Sequence, residues 1–149
     1  MANNILKGKR GIIFGALDNK SIAWKVAEHA HDEGAKFVLT NAPIALRMGT
    51  INELADKTNS KVIPADATSM EDLTALYKNA MEELGGKLDF ILHSIGMSVN
   101  VRKGKPYYEQ NYDWTIKGYD VSALSFHKTI QAAWDLDALN GYGSVLGLS

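Results

Sequence analysis

The chain has 149 residues, 46% of them hydrophobic, with 16 Lys and Arg against 17 Asp and Glu and a formal net charge of −1. This is one domain's worth of chain with enough apolar residues for a core, and its dispersed cations, densest in Arg102-Lys103-Gly104-Lys105, argue against a nucleic-acid partner. The lack of cysteine excludes thiolate catalysis and zinc–thiolate sites. Without an apolar run near the ~18 residues of a membrane span, or a secretory stretch in MANNILKGKR, the expectation is a cytoplasmic protein with no membrane partner.

Short apolar runs alternate with helical patterns along the whole chain. Arg10 to Gly15 reads as a buried strand. Ser21 to Glu33 has helical spacing, with Ile22, Val26, Ala27 and Ala30 on one face and Gly34 as the stop. A second strand is predicted over 36–40, a second helix over 44–57, and a third strand over 61–65. Ser69 caps a helix with acids in its first turn, closed by Gly85-Gly86. The fourth strand spans 88–94, a long polar stretch covers 96–111, a long helix 112–139, and a fifth strand 144–148. Strict alternation predicts an α/β fold with a parallel sheet covered on both faces. A Rossmann-like doubly wound sheet leads, with flavodoxin-like winding as the alternative that periodicity does not separate.

The turn Gly15-Ala16-Leu-Asp-Asn-Lys-Ser21-Ile22-Ala23 joins the first strand to its helix. Gly15 permits a sharp bend and a close ligand approach. With Ser21 as cap, the helix would present free N–H groups and its positive dipole end to a diphosphate. The same residues also suit an ordinary βα turn. No G-x-x-x-x-G-K-[ST] or G-x-S-x-G is present, which argues against P-loop nucleotide hydrolysis and α/β-hydrolase chemistry. His29 and His31 lack a third ligand, so no metal site is expected.

This turn, ending in Ser-Ile-Ala, resembles the divergent phosphate turn of the NADH-dependent enoyl-acyl-carrier-protein reductases in the short-chain dehydrogenase/reductase superfamily. Further resemblances follow in order along the chain. Ala65-Asp66-Ala67 is similar to the family's adenine-contacting pair, although Asp66 also suits a turn-forming cap. Ala42 stands where a Gln or basic residue often flanks the adenosine. Ser94-Ile95-Gly96 resembles the strip beside the adenosine ribose, and Ser98 lies where the substrate pocket begins. The resemblance implies cofactor contacts at Gly15, Ala16, Ser21, Ile22, Ala42, Asp66, Ala67, Ser94, Ile95 and Gly96, and a substrate contact at Ser98. With no acid or cation beside Ala42, and Arg47 placed as a solvated helix residue, NADH is favoured over NADPH. His93 reads as a packed histidine, and Tyr107, Tyr108 and Tyr112 as surface residues. Ser122 and Ser125 lie on the helix that resembles the one beside the family's active site, where they could take part in its hydrogen bonding, although helical serines are usually bland.

The resemblance implies hydride transfer to a trans-2-enoyl thioester on acyl carrier protein, in a homotetramer, within fatty acid biosynthesis. A family tyrosine stabilises the developing enolate oxygen, and a Tyr-x6-Lys lysine holds the nicotinamide ribose. None of the 6 tyrosines has Lys seven positions on. The expectation is that the catalytic Tyr and Lys lie beyond Ser149. Residues 1–149 then form a single dinucleotide-binding domain truncated after the fifth strand, unable by itself to reduce an enoyl thioester. Apolar residues on two sides of the long helix (Tyr119, Ala123, Phe126, Ile130 and Trp134; Trp114, Val121, Leu124 and Ala132) predict cover by the sheet and by a second copy. A carbonyl-reducing short-chain reductase and a non-catalytic nucleotide-binding module are the alternatives.

Overall fold

The computed structural model describes residues 3–148. Five strands form one parallel sheet: β1 (Arg10–Phe14), β2 (Lys36–Thr40), β3 (Lys61–Val62), β4 (Leu88–His93) and β5 (Leu139–Gly147), in the order β3-β2-β1-β4-β5. Ile12 and Ile13 are both fully buried, so successive side chains of β1 are covered on opposite faces. Ile13, Phe37, Leu39 and Leu92 pack with α1 (Ile22–Asp32) and with Leu54 of a helix between β2 and β3. Ile12, Phe14, Val38 and Ile91 pack on the other face with α4 (Met70–Leu84) and a helix leading to β5. The chain winds outward from β1 through β2 to β3, then returns to β4 and β5. This is the Rossmann-like doubly wound order, with its reversal between β1 and β4.

Several elements depart from their predicted bounds. In α1 the buried residues are Ala23, Trp24, Ala27 and Ala30, whereas Ile22 and Val26 are exposed. The larger indole turns the helix face, and Glu28 accepts from its Nε1 at 3.1 Å. The predicted second helix is two, α2 (Pro43–Leu46) and α3 (Ile51–Thr58), broken at 47–50 where Gly49 and Thr50 meet the turn after β1. Strand β3 has only two paired residues, although Ile63 and Ala65 continue donating to Leu39 and Asn41 carbonyls. Ser69 caps α4 as predicted, accepting the Asp72 N–H at 3.2 Å, and the helix closes at Gly85.

The polar stretch after β4 contains a short helix, α5 (Val99–Arg102), and a 3-10 turn, Tyr107–Glu109. The predicted long helix is α6 (Tyr112–Tyr119), a π turn (Asp120–Leu124) and α7 (Ser125–Asp135) in one run. The wider π turn shifts the helical phase. In α7, Ser125, Thr129, Ala132 and Ala133 face inward while Ile130 and Trp134 are exposed, as are Tyr119 at the end of α6 and Leu124 in the π turn. Of the two predicted apolar faces only Ala132 is fully buried within the single chain, while Trp114, Val121 and Phe126 are half-buried. The helix stops at Asp135, four residues before the predicted end, and β5 starts at Leu139 with a register shift before Ser144 pairs with Phe90. No helix among the described residues is long and apolar enough to cross a membrane.

Candidate functional site

Four loops leave the C-terminal edge of the sheet around the reversal between β1 and β4, where open α/β sheets bind ligands. Gly15 lies at their centre with φ +91°, a conformation that costs any residue with a Cβ. Its N–H donates to the Thr40 carbonyl of β2 at 3.1 Å, and an added Cβ would overlap the Ser94 carbonyl after β4. One glycine thus lets the ends of β2, β1 and β4 close together.

Beyond it the turn is self-braced. The Asp18 carbonyl accepts the Ser21 N–H at 3.0 Å and the Ser21 hydroxyl at 2.7 Å, and Ser21 Oγ accepts the Leu17 N–H at 3.3 Å. Ser21 occupies the N-cap position of α1, but its side chain makes no cap hydrogen bond. This corrects the predicted hydroxyl cap: the hydroxyl is turned back onto the loop, where it donates to the Asp18 carbonyl. Among the described residues no acceptor meets the Ile22 N–H at the positive end of this helix, and the Ile22 side chain stands exposed beside it. Ala16 is fully buried, so its Cβ belongs to the core and only its main chain borders the turn.

Asn41 joins the first two loops, a role the sequence reading missed. Its Oδ1 accepts the Ala42 N–H at 3.0 Å and its Nδ2 donates to the Ala16 carbonyl at 3.4 Å. The Thr50 N–H donates to the Leu17 carbonyl at 2.9 Å, and a Cβ on Gly49 would overlap that oxygen. The break between α2 and α3 therefore seats the turn after β1. Arg47, in this break, is exposed.

Asp66 forms the turn offered as one of its two readings. One carboxylate oxygen, Oδ1, accepts the Thr68 N–H at 2.9 Å and the Thr68 hydroxyl at 2.8 Å, making a turn. Oδ2 takes no hydrogen bond among the described residues. Burial pushes this carboxyl up, but the two Thr68 bonds and the charges of Lys117 and Lys128 leave it below the ordinary 3.8. Ala67 is buried, so its main chain alone borders the edge.

The strip after β4 is fixed from behind by the helix run. His93 is 1% exposed, with Nε2 at 2.7 Å from Ser125 Oγ, and Ser125 gives its own proton to the Val121 carbonyl at 2.6 Å. The histidine therefore donates to Ser125 as the neutral Nε2–H tautomer. Burial lowers its pKa from 6.5, and the Phe14 and Phe126 rings lie beside it. Ser122 Oγ accepts the Met97 N–H at 2.9 Å and donates to the Met97 carbonyl at 3.2 Å. Ser122 thus takes part in hydrogen bonding with the strip after β4, and Ser125 with the last residue of β4 itself. Ser94 and Ile95 are half-buried and Gly96 is exposed, leaving an accessible ribbon beside Gly15. Ser98 caps α5 through the Val101 N–H at 3.3 Å and borders a cavity of about 270 Å³ with Met97, Trp114, Tyr119 and Ser122. Tyr107, Tyr108 and Tyr112 are exposed, as read from the sequence.

Residues 15–149 match the family model described as enoyl-(acyl carrier protein) reductase. The chain is 32% identical over 149 residues to enoyl-[acyl-carrier-protein] reductase [NADH] 1 of Rhizobium meliloti, covering 99% of this chain and 53% of the relative. It is 31% identical to the NADH enoyl-[acyl-carrier-protein] reductase of Mycobacterium avium over 97% of its own length and 53% of that protein. Among solved structures, a FabI–NADH complex from Alistipes finegoldii superposes with a TM-score of 0.95 at 60% identity, covering 98% of this chain and 52% of that one. The chain spans about half the length of these relatives. The match begins at Gly15 and takes in each of the four loops that meet at the sheet edge, so the chain belongs to the enoyl-(acyl carrier protein) reductase family.

Proposed function

We propose that residues 1–149 form the NAD(H)-binding domain of an NADH-dependent enoyl-acyl-carrier-protein reductase acting in the cytoplasm in fatty acid biosynthesis. The observation that carries this reading is the Gly15 cradle, kept open by the missing Cβ and pressed against Ser94, at the reversal point of the sheet. A dinucleotide fits the edge chemically. The Gly15–Ala16 main chain and the Ile22 N–H suit the diphosphate. The free Oδ2 of Asp66 suits the adenine amino group, with the Ala67 main chain beside it. Ala42 flanks the adenosine, and Ser94, Ile95 and Gly96 offer the flat ribbon for the ribose. Ser21 acts indirectly, by bracing the turn. When bound, NADH supplies the hydride for an enoyl thioester carried on acyl carrier protein, whose acyl end Ser98 and its cavity would border.

No cation flanks Ala42, which favours NADH over the 2′-phosphorylated form. The exposed apolar residues of the helix run, among them Tyr119, Ile130 and Trp134, support assembly into a homotetramer. Titrating the chain with NADH, followed by nicotinamide fluorescence, tests the cofactor reading. Saturable binding is expected for the chain as it stands. Ile22→Asp should abolish it by setting a carboxylate against the diphosphate, while stability stays within about 0.5 kcal/mol because the side chain is exposed. Absence of saturable binding to the unaltered chain would sink the reading.

A further inference from the structure

We infer that Lys128 is a positioning residue for adenine recognition, holding the Asp66–Ser69 turn in its ligand-ready shape from the neighbouring helix. This rests on the proposed nucleotide site. The turn is held by its own residues and by the first turn of α4: Thr68 donates twice to Asp66, the Ser69 N–H donates to the Asp66 carbonyl at 2.9 Å, and the Asp66 N–H donates to the Asp72 carboxylate of α4 at 2.9 Å. Lys128 reaches it from another element. Its Nζ donates to the Thr68 carbonyl at 2.9 Å and lies 3.3 Å from Asp120 Oδ1 in the π turn.

The arrangement differs from a loose surface pair in two respects. The Lys128 side chain is only 31% exposed, and the Asp120 carboxylate that steadies it is equally covered. Lys128 also occupies the helix segment whose Ser122 holds the strip after β4 and whose Ser125 holds the last residue of β4. A single run of helix thus sets the spacing between the turn that offers Asp66 Oδ2 and the ribbon at Ser94–Gly96. Nothing in the phosphate turn depends on this lysine, so its effect should be confined to the adenosine end of a bound ligand.

Lys128→Met keeps the aliphatic stem and removes the donor. Expected are dissociation constants for both NADH and AMP weakened by about 5–10-fold, the worth of one charge-assisted hydrogen bond. Amide exchange at Asp66 and Thr68 should quicken in the free chain, with the global unfolding midpoint little changed, and Lys128→Arg should recover most of the affinity. Should Lys128→Met weaken folding, the smaller change Asp120→Asn still tests the proposal, with the same direction expected at both the two amides and the two ligands. Unaltered affinity for NADH and AMP in variants that lose the Lys128 contact overturns the inference and leaves the cofactor reading intact. Failure of the unaltered chain to bind either ligand overturns both.

Discussion

His93 Nε2 lies 2.7 Å from Ser125 Oγ in a pocket that solvent does not reach, so the last residue of β4 is tied to the first residue of α7 by a neutral imidazole. Protonation would give the ring a second donor and a charge without a counter-ion, in a site walled by Phe14 and Phe126.

The pH dependence of folding follows from this. The native pKa of His93 lies below the ordinary 6.5, so as pH falls beneath that value the unfolded chain takes up a proton that the folded chain resists. Stability from this group is present above pH 6.5, declines as pH drops toward the lowered native pKa and levels off below it. Urea midpoints measured between pH 7.5 and 5 should fall for the unaltered chain. His93→Gln, whose amide can still donate to Ser125, should flatten that part of the profile. An unchanged slope would show that His93 does not set it.

Gly15→Ala tests the cradle directly. The added methyl meets the Ser94 carbonyl, and the φ of +91° is strained for alanine. A loss of about 1–3 kcal/mol in unfolding free energy is expected from the strained backbone, together with loss of NADH binding at temperatures where the variant is still folded. Calorimetry with full NADH affinity in this variant would place the diphosphate elsewhere.

Glu28 fastens α1 to α3. It accepts from Trp24 Nε1 and pairs with Lys25 at 2.8 Å and Lys57 at 2.7 Å, and these two lysines, aided by Trp24, lower its carboxyl pKa from 4.5 to about 2. Its contribution is therefore complete above pH 4.5 and lost as pH falls toward 2. Glu28→Gln should lower stability at neutral pH and reduce the acid sensitivity of unfolding in that window, as read by circular dichroism. Equal acid profiles for the two chains would remove the network from the account.

Trp134 is 84% exposed and Ile130 40%, both on the outer side of α7. If this side is an assembly surface, sedimentation velocity of the unaltered chain should show concentration-dependent association. Trp134→Lys with Ile130→Glu should yield a monomer that retains its NADH affinity. Association persisting in the double variant would move the interface away from α7.

Local chemistry made much of this legible in the sequence. The buried strands announced themselves because residues such as Ile12 and Ile13 are apolar on both faces, and Ser69 because a capping oxygen needs only three residues of context. Gly15 and Ser94-Ile95-Gly96 were recognisable as motifs, and the structure sets them in contact across the sheet. The break at Gly49 was not legible, because its cause is a carbonyl of Leu17 more than thirty positions earlier.

Alternation and hydrophobic spacing, which are properties of neighbours along the chain, by themselves determined the α/β class and the placement of four strands to within a few residues, while the loops of the candidate site were singled out by resemblance to a family's motifs. Only the tertiary structure decided which way hydroxyls and charges turn. Ser21 gives up its cap to brace a loop, Ser122 in the π turn bonds the strip after β4 and Ser125 the end of β4 itself, and Lys128 crosses sixty positions to reach Thr68. Those choices depend on acceptors supplied by distant segments and on a one-residue change of helical phase, and a period counted along the chain carries neither.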